Sequence, residues 1–191
     1  MSLIFNLESE IEYEKYTYGY QNIVKPKLQY QEHYYDLGDE IGRGTQGVVY
    51  HTVERATGKS FASKMMHGRD KLREYMSNEL NIMNNIGYHP RILRLWDAFA
   101  PTPHSLSLIT DFCGGGELLD NILHRGTLTE SEVAHYIRQI LDGLEYLHMR
   151  SIGHFGLTVC SFEIQINIEK KKKFYLFKKR LLRSFHSSCC S

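Results

Sequence analysis

Apolar residues recur along this chain with two different periods, and each period marks a kind of element. The run Val48-Val-Tyr-His-Thr-Val53 is β-branched and aromatic, the composition of a strand. It follows three closely spaced glycines, Gly42, Gly44 and Gly47, which therefore sit at the tip of a hairpin. A turn at Glu54-Arg-Ala-Thr-Gly58 returns the chain through a third strand that carries Lys64. From Asp70 to Ile86 the period changes: Leu72, Met76, Leu80 and Met83 fall at steps of four, four and three, a helical apolar stripe with Glu79 at its edge. Thr129-Glu-Ser-Glu132 is a capping box that satisfies the first amides of another helix. Ile137, Ile140, Leu141, Leu144 and Leu147 then predict its apolar face, ending near His148. Near the start, Leu3 to Leu7 is far too short to span a membrane or serve as a signal core. Tyr13, Tyr16, Tyr18 and Tyr20 alternate there, as a strand, a linker that docks by aromatic contacts, or a flexible connection to an upstream domain.

The hairpin, Lys64 and Glu79 agree on one ligand, the phosphates of a nucleotide. Three glycines at this spacing also mark dinucleotide-binding folds, but there the third glycine opens a helix, and here a strand follows. Without Cβ atoms, glycines let the backbone approach phosphate oxygens closely and offer them N–H donors. Val49 would place an apolar lid over the adenine, and Lys64 would reach the α- and β-phosphates. Its flexible stem needs a carboxylate to hold it, and Glu79 is the candidate. The plainer alternative is that Lys64 and Glu79 are ordinary surface charges on a strand and a helix.

The ordered set IGRGTQGVV (41–49), FASK and Glu79 resembles the protein kinase family. HPRILRLWDAF (89–99) looks like the loop and strand after the αC helix, and LITDFCGGGELLDNIL (108–123) like the last small-lobe strand, the hinge and the next helix. LTESEVAHYIRQILDGLEYLH is similar to the calcium/calmodulin-kinase-like branch that includes titin, twitchin and obscurin, and HFGLT suggests the obscurin-type kinase domains of giant muscle proteins. The resemblance implies an α+β bilobal fold with a complete small lobe, a five-stranded antiparallel sheet plus αC, and only the first helices of the large lobe. The implied nucleotide site comprises Ile41, Gly42, Gly44, Gly47, Val49, Ala62, Lys64, Glu79, Thr110, Asp111, Cys113 and Glu117. Thr110 takes the gatekeeper position, the Asp111 carbonyl and Cys113 amide face the adenine edge, and Glu117 accepts from a ribose hydroxyl or a basic substrate group. ATP is the implied ligand, bound weakly because small lobe and hinge supply only part of a site. Mg2+ is implied only where a full domain supplies its ligands.

The pattern then breaks. Where the family carries H-R-D-L-x-x-x-N, this chain reads His154-Phe155-Gly156-Leu157-Thr158-Val159-Cys160-Ser161. Gly156 replaces the Asp that accepts the substrate proton, Thr158 the Lys usual in this branch, and Ser161 the metal-holding Asn. No catalytic residue of that loop is intact, and because a positioned general base contributes roughly 10²–10⁴ in rate, the loss would leave at most a residual activity. No D-F-G or A-P-E follows. Lys170 to Lys173, Lys178, Lys179, Arg180 and Arg183 instead make a basic tail, read as a low-information end of the kind a translated intron produces, or as a motif for acidic partners. The expected division is a linker over 1–33, small lobe and hinge over 34–113, the start of the large lobe over 114–161, and a disordered non-kinase tail over 162–191. Leaving the five aliphatic side chains of the last helix exposed would forfeit roughly 7–15 kcal/mol, as much as the roughly 5–15 kcal/mol net stability of a typical domain.

Composition narrows the partners. A net charge of +1 argues against nucleic acid or another general polyanion. Cys113, Cys160, Cys189 and Cys190 lack zinc spacing and fit reduced cytosolic thiols. The ten histidines are scattered, so no metal site built only from protein ligands is expected. From the resemblance come cytoskeletal or sarcomeric partners, upstream immunoglobulin-like or fibronectin-like modules, and a cytoplasmic location in the sarcomere near the M-band. Three functions follow: an inactive pseudokinase scaffold, an active serine/threonine kinase represented by an incomplete chain, or a short isoform acting as a binding decoy.

Overall fold

A computed structural model of the chain describes residues 23–69, 71–154, 162–166, 172–176 and 182–184. Strands β1 (Tyr35–Gly44), β2 (Gly47–Glu54), β3 (Ser60–His67), β4 (Leu95–Phe99) and β5 (Ser105–Asp111) form one sheet in the order β1-β2-β3-β5-β4. Every neighbouring pair is antiparallel. Helix α1 (Lys71–Ile86) connects β3 to β4, and α2 (Leu118–Arg125) and α3 (Glu130–Met149) follow the sheet. The hairpin read from the glycines is present, with Gly44 opposite Gly47 across Thr45 and Gln46. The next turn needs Gly58, whose φ of 69° is a left-handed conformation that side chains disfavour.

Register sorts the sheet into two faces, because directly opposed residues project to the same side and alternate ones to opposite sides. Val49 opposes Lys64, which opposes Leu108; His51 opposes Ala62, which opposes Thr110. On that face Met66, Leu106 and Leu108 pack with Met76 and Leu80 of α1. Tyr35, Phe61, Phe99 and Ile109 form the core of the other face. Helix α1 is thus enclosed, since its Ile82 and Ile86 pack in a further cluster with Tyr136 and Leu147 of α3.

Contacts with the sheet and with α1 reach back to residue 24, within the span read as a linker. Lys27 bridges Phe99 in parallel, its amide donating to the Ala98 carbonyl at 2.9 Å while the Ala100 amide donates to the Lys27 carbonyl at 2.8 Å. The Asn84 side chain holds Val24 from both sides, accepting from its amide at 2.8 Å and donating to its carbonyl at 3.0 Å. Gln31 is buried and accepts a hydrogen bond from Ser63 Oγ at 2.7 Å. Backbone pairing and polar side chains make most of these contacts, so no apolar pattern announces the docking. Residues 1–22 lie outside the described residues.

The capping box of α3 is formed as read: the Glu132 amide donates to Thr129 Oγ1 at 3.3 Å, and the Thr129 amide donates to Glu132 Oε2 at 3.0 Å. Of the five aliphatic residues expected to lose their cover, Leu147 is fully buried, and Ile140 and Leu144 pack partly against the cluster below α1. Only Ile137 and Leu141, at 49% and 57% exposure, project outward with Val133. Close approach is possible at Gly143, where an added Cβ would lie 3.3 Å from the Arg91 side chain.

The span 162–191, expected to be disordered, contains three short strands among its described residues. β7 (Phe162–Ile166) pairs with β8 (Lys172–Leu176), and β9 (Leu182–Ser184) pairs with β6 (Ile152–His154). Phe162, Ile164 and Ile166 alternate with polar residues and oppose Leu176, Phe174 and Lys172, a period-two pattern that the surrounding lysines hide. Among the described residues no helix is long and apolar enough to cross a membrane.

Candidate nucleotide site

The glycines do different work. An added Cβ at Gly42 or Gly44 would meet nothing closer than 3.9 Å, so both leave open space beside the backbone. At Gly47 a Cβ would lie 2.4 Å from the Met65 carbonyl oxygen, so glycine is needed for β2 to approach β3. Ile41 is exposed on β1, and Gly42 opposes Val49, in the same row as Lys64. Ala62 and Thr110 are buried in the adjacent row. Val49, Ala62, Lys64 and Thr110 therefore share one face of the sheet, the face against which α1 packs.

Helix α1 delivers Glu79 to Lys64. Lys64 Nζ donates to both Glu79 carboxylate oxygens, at 2.8 and 2.9 Å. The lysine side chain is 18% exposed and the glutamate 4%, so this is a largely dehydrated pair and not two surface charges. In that environment the Coulombic gain and the loss of hydration are both large, and removing one partner strands the other. Tyr75, four residues before Glu79, completes the group. Burial, together with the neighbouring Glu79 carboxylate, pushes its phenol well above the ordinary pKa. Lys64 Nζ lies 5.6 Å from the centre of the Tyr75 ring. Sequence reading passed over this tyrosine; its one signal was its place a single helical turn from Glu79.

At the end of β5 the structure assigns the Asp111 side chain to bracing. Its carboxylate accepts from the Arg94 amide at 2.8 Å and from Trp96 Nε1 at 2.7 Å, tying the hinge to β4. Burial raises its pKa, and these donors oppose the rise. Phe112 packs on His51, with ring centres 4.6 Å apart. Cys113 is buried, and its carbonyl accepts from the Gly116 amide at 3.4 Å, in a turn that needs the positive φ of Gly116. Glu117 is the N-cap of α2, with its carbonyl accepting from the Asn121 amide at 3.2 Å. The structure thus brings the glycine hairpin, Val49, Ala62, Lys64, Glu79 and Thr110 to one side of the sheet, with Asp111, Cys113 and Glu117 in the segment leaving it. Gly156 and Ser161, the departures from the catalytic loop, lie outside the described residues.

Comparison with known proteins accounts for this arrangement. Residues 35–157 match the Protein kinase domain family. A probable myosin light chain kinase of Dictyostelium discoideum is 38% identical over 123 residues, covering 64% of this chain and 39% of that protein. Death-associated protein kinase 2 of Mus musculus is 35% identical over 143 residues, 71% of this chain and 38% of that protein. A titin homolog of Caenorhabditis elegans is 38% identical over 125 residues, 64% of this chain and 1% of that protein. A twitchin kinase fragment from C. elegans superposes with a TM-score of 0.74 at 28% identity, covering 87% of this chain and 37% of the other. The chain spans less than two fifths of the length of each of these relatives. The matched span and the five-stranded sheet with its helices together establish that the chain belongs to the protein kinase family, in its calcium/calmodulin-kinase-like branch.

Proposed function

We propose that the small lobe binds ATP and that the chain, inactive in phosphoryl transfer, serves as a scaffold in a sarcomeric giant protein. The observation that carries the nucleotide reading is the bidentate Lys64–Glu79 pair beneath the glycine hairpin. Lys64 would meet phosphate oxygens, the open backbone at Gly42 and Gly44 would let them approach, and Val49 and Ala62 would face the base. Thr110, Asp111, Cys113 and Glu117 would border the adenine and ribose. When bound, Mg2+ neutralises charge on the phosphates; the described residues contain no cluster of three candidate metal ligands. Inactivity rests on Gly156, which cannot take a proton, and on Ser161 in place of a metal-holding Asn. The sarcomeric reading rests on the likeness to the titin homolog and to twitchin, one of whose structures is described as including immunoglobulin domains.

A second reading, an active serine/threonine kinase, is supported by the same ion pair, which kinases need in place for phosphoryl transfer. Titration calorimetry with ATP separates the claims. Saturable binding is expected, weakened about tenfold or more in Lys64→Met through loss of a charged hydrogen bond. Absence of binding to the wild-type chain would sink the nucleotide reading. Phosphate transfer from Mg-ATP to a generic peptide, above the level of Lys64→Met, would overturn inactivity.

A further inference from the structure

We infer that Tyr75 is a positioning residue for the Lys64–Glu79 pair: its ring supports the Lys64 ammonium from one side while Glu79 holds it from the other. The inference rests on the nucleotide reading for its consequence, but not for its geometry. Tyr75 and Glu79 stand four residues apart on α1, on the same side of the helix, one above the other. Both Glu79 oxygens are engaged by Lys64 Nζ. The ammonium lies 5.6 Å from the ring centre, inside the roughly 6 Å range of a cation–π contact.

Packing holds the tyrosine in turn. Tyr75 lies against the cluster formed by Met66, Met76 and Leu80, so the ring is placed by the same contacts that dock α1 on the sheet. A lysine stem is long and flexible, and a carboxylate alone restrains only its tip. The ring adds a wall beside that tip. An ammonium so confined has one donor left beyond the two on Glu79, available to an incoming phosphate oxygen.

The test uses the full chain in four forms: wild type, Tyr75→Phe, Tyr75→Leu and Lys64→Met. The proton–nitrogen NMR signal of the Lys64 ammonium is the direct readout, since it is seen only when the group is held and protected; Lys64→Met assigns it. The wild type is expected to show the signal, Tyr75→Phe to keep it through the retained ring, and Tyr75→Leu to lose it. ATP affinity measured on the same samples is expected to change little in Tyr75→Phe and to fall about fivefold in Tyr75→Leu, the scale of one cation–π contact. Melting temperatures separate positioning from packing, because Tyr75→Phe preserves the ring's contacts. A wild-type chain without the signal, or a Tyr75→Leu chain with unchanged signal and affinity, would overturn the proposal. If the wild type binds no ATP yet the signal follows the expected order, the nucleotide reading falls and the role of Tyr75 stands.

Discussion

Helices α1 and α3 are both amphipathic, yet the apolar residues of one are buried on two sides while several of the other's stay exposed. α1 lies between the sheet, where Met76 and Leu80 are buried, and α3, where its Ile82 and Ile86 are buried. α3 buries Tyr136 and Leu147 in the cluster shared with α1 but leaves Val133, Ile137 and Leu141 exposed along the flank of the same stripe. The difference teaches that apolar spacing determines that a helix forms and which residues share a side, while burial depends on what lies opposite. The charged residues obey the same rule. Glu79 is as buried as its aliphatic neighbours because α1 brings it against Lys64 and Tyr75.

The sharpest way to break this comparison is to truncate matched leucines on α3. Leu147→Ala should cost about 4 kcal/mol as a cavity in a closed core, and Leu141→Ala no more than about 0.5 kcal/mol at an exposed site. Equal losses in denaturant unfolding would show that the outer side of α3 is covered after all. On α1, Glu79→Ala should cost about 3 kcal/mol, because it leaves Lys64 unpaired and largely dehydrated. A loss within the error of a surface substitution would mean that the pair is effectively solvated. Thr129→Ala removes the N-cap of α3 and should cost about 1 kcal/mol, read as faster amide exchange in the first turn while α1 is unchanged.

The smallest effect concerns the contact between the two helices. His89, on the loop after α1, stacks on Tyr146 of α3 at 4.4 Å between ring centres, with Asp142 and Arg91 beside it. Burial lowers its pKa below the ordinary 6.5; Asp142 opposes that shift and Arg91 adds to it. The folded protein therefore binds the His89 proton less readily than the unfolded chain. Its contribution to stability is full above 6.5 and is lost as pH falls below that value. The melting temperature should decline on acidification more steeply in the wild type than in His89→Gln, and identical slopes would contradict the assignment.

Lys64 and Glu79 were legible in the sequence, because a glycine hairpin, a strand lysine and a helical stripe each constrained the other two. The capping box was legible for a related reason, its two hydrogen bonds joining residues only three apart. Tyr75 was not, since a tyrosine inside a helical stripe reads as packing until its neighbours are placed. Nor was the docking of residues 24–31, where Asn84, Ala98 and Ser63 supply partners from far along the chain. In the same way the Asp111 position was read for its backbone carbonyl, and its carboxylate in addition braces Arg94 and Trp96.

Short-range chemistry, then, was written in the residues themselves: strand and helix periods, turns that require glycine, the cap of α3, and the family to which these belong. Contacts between distant segments decided the remainder: which half of α3 is covered, where the folded unit begins, and what surrounds the Lys64 ammonium. The physical reason is that periodicity and capping depend on neighbours within about one helical turn. Burial and ion pairing depend instead on groups that only the folded chain brings within reach.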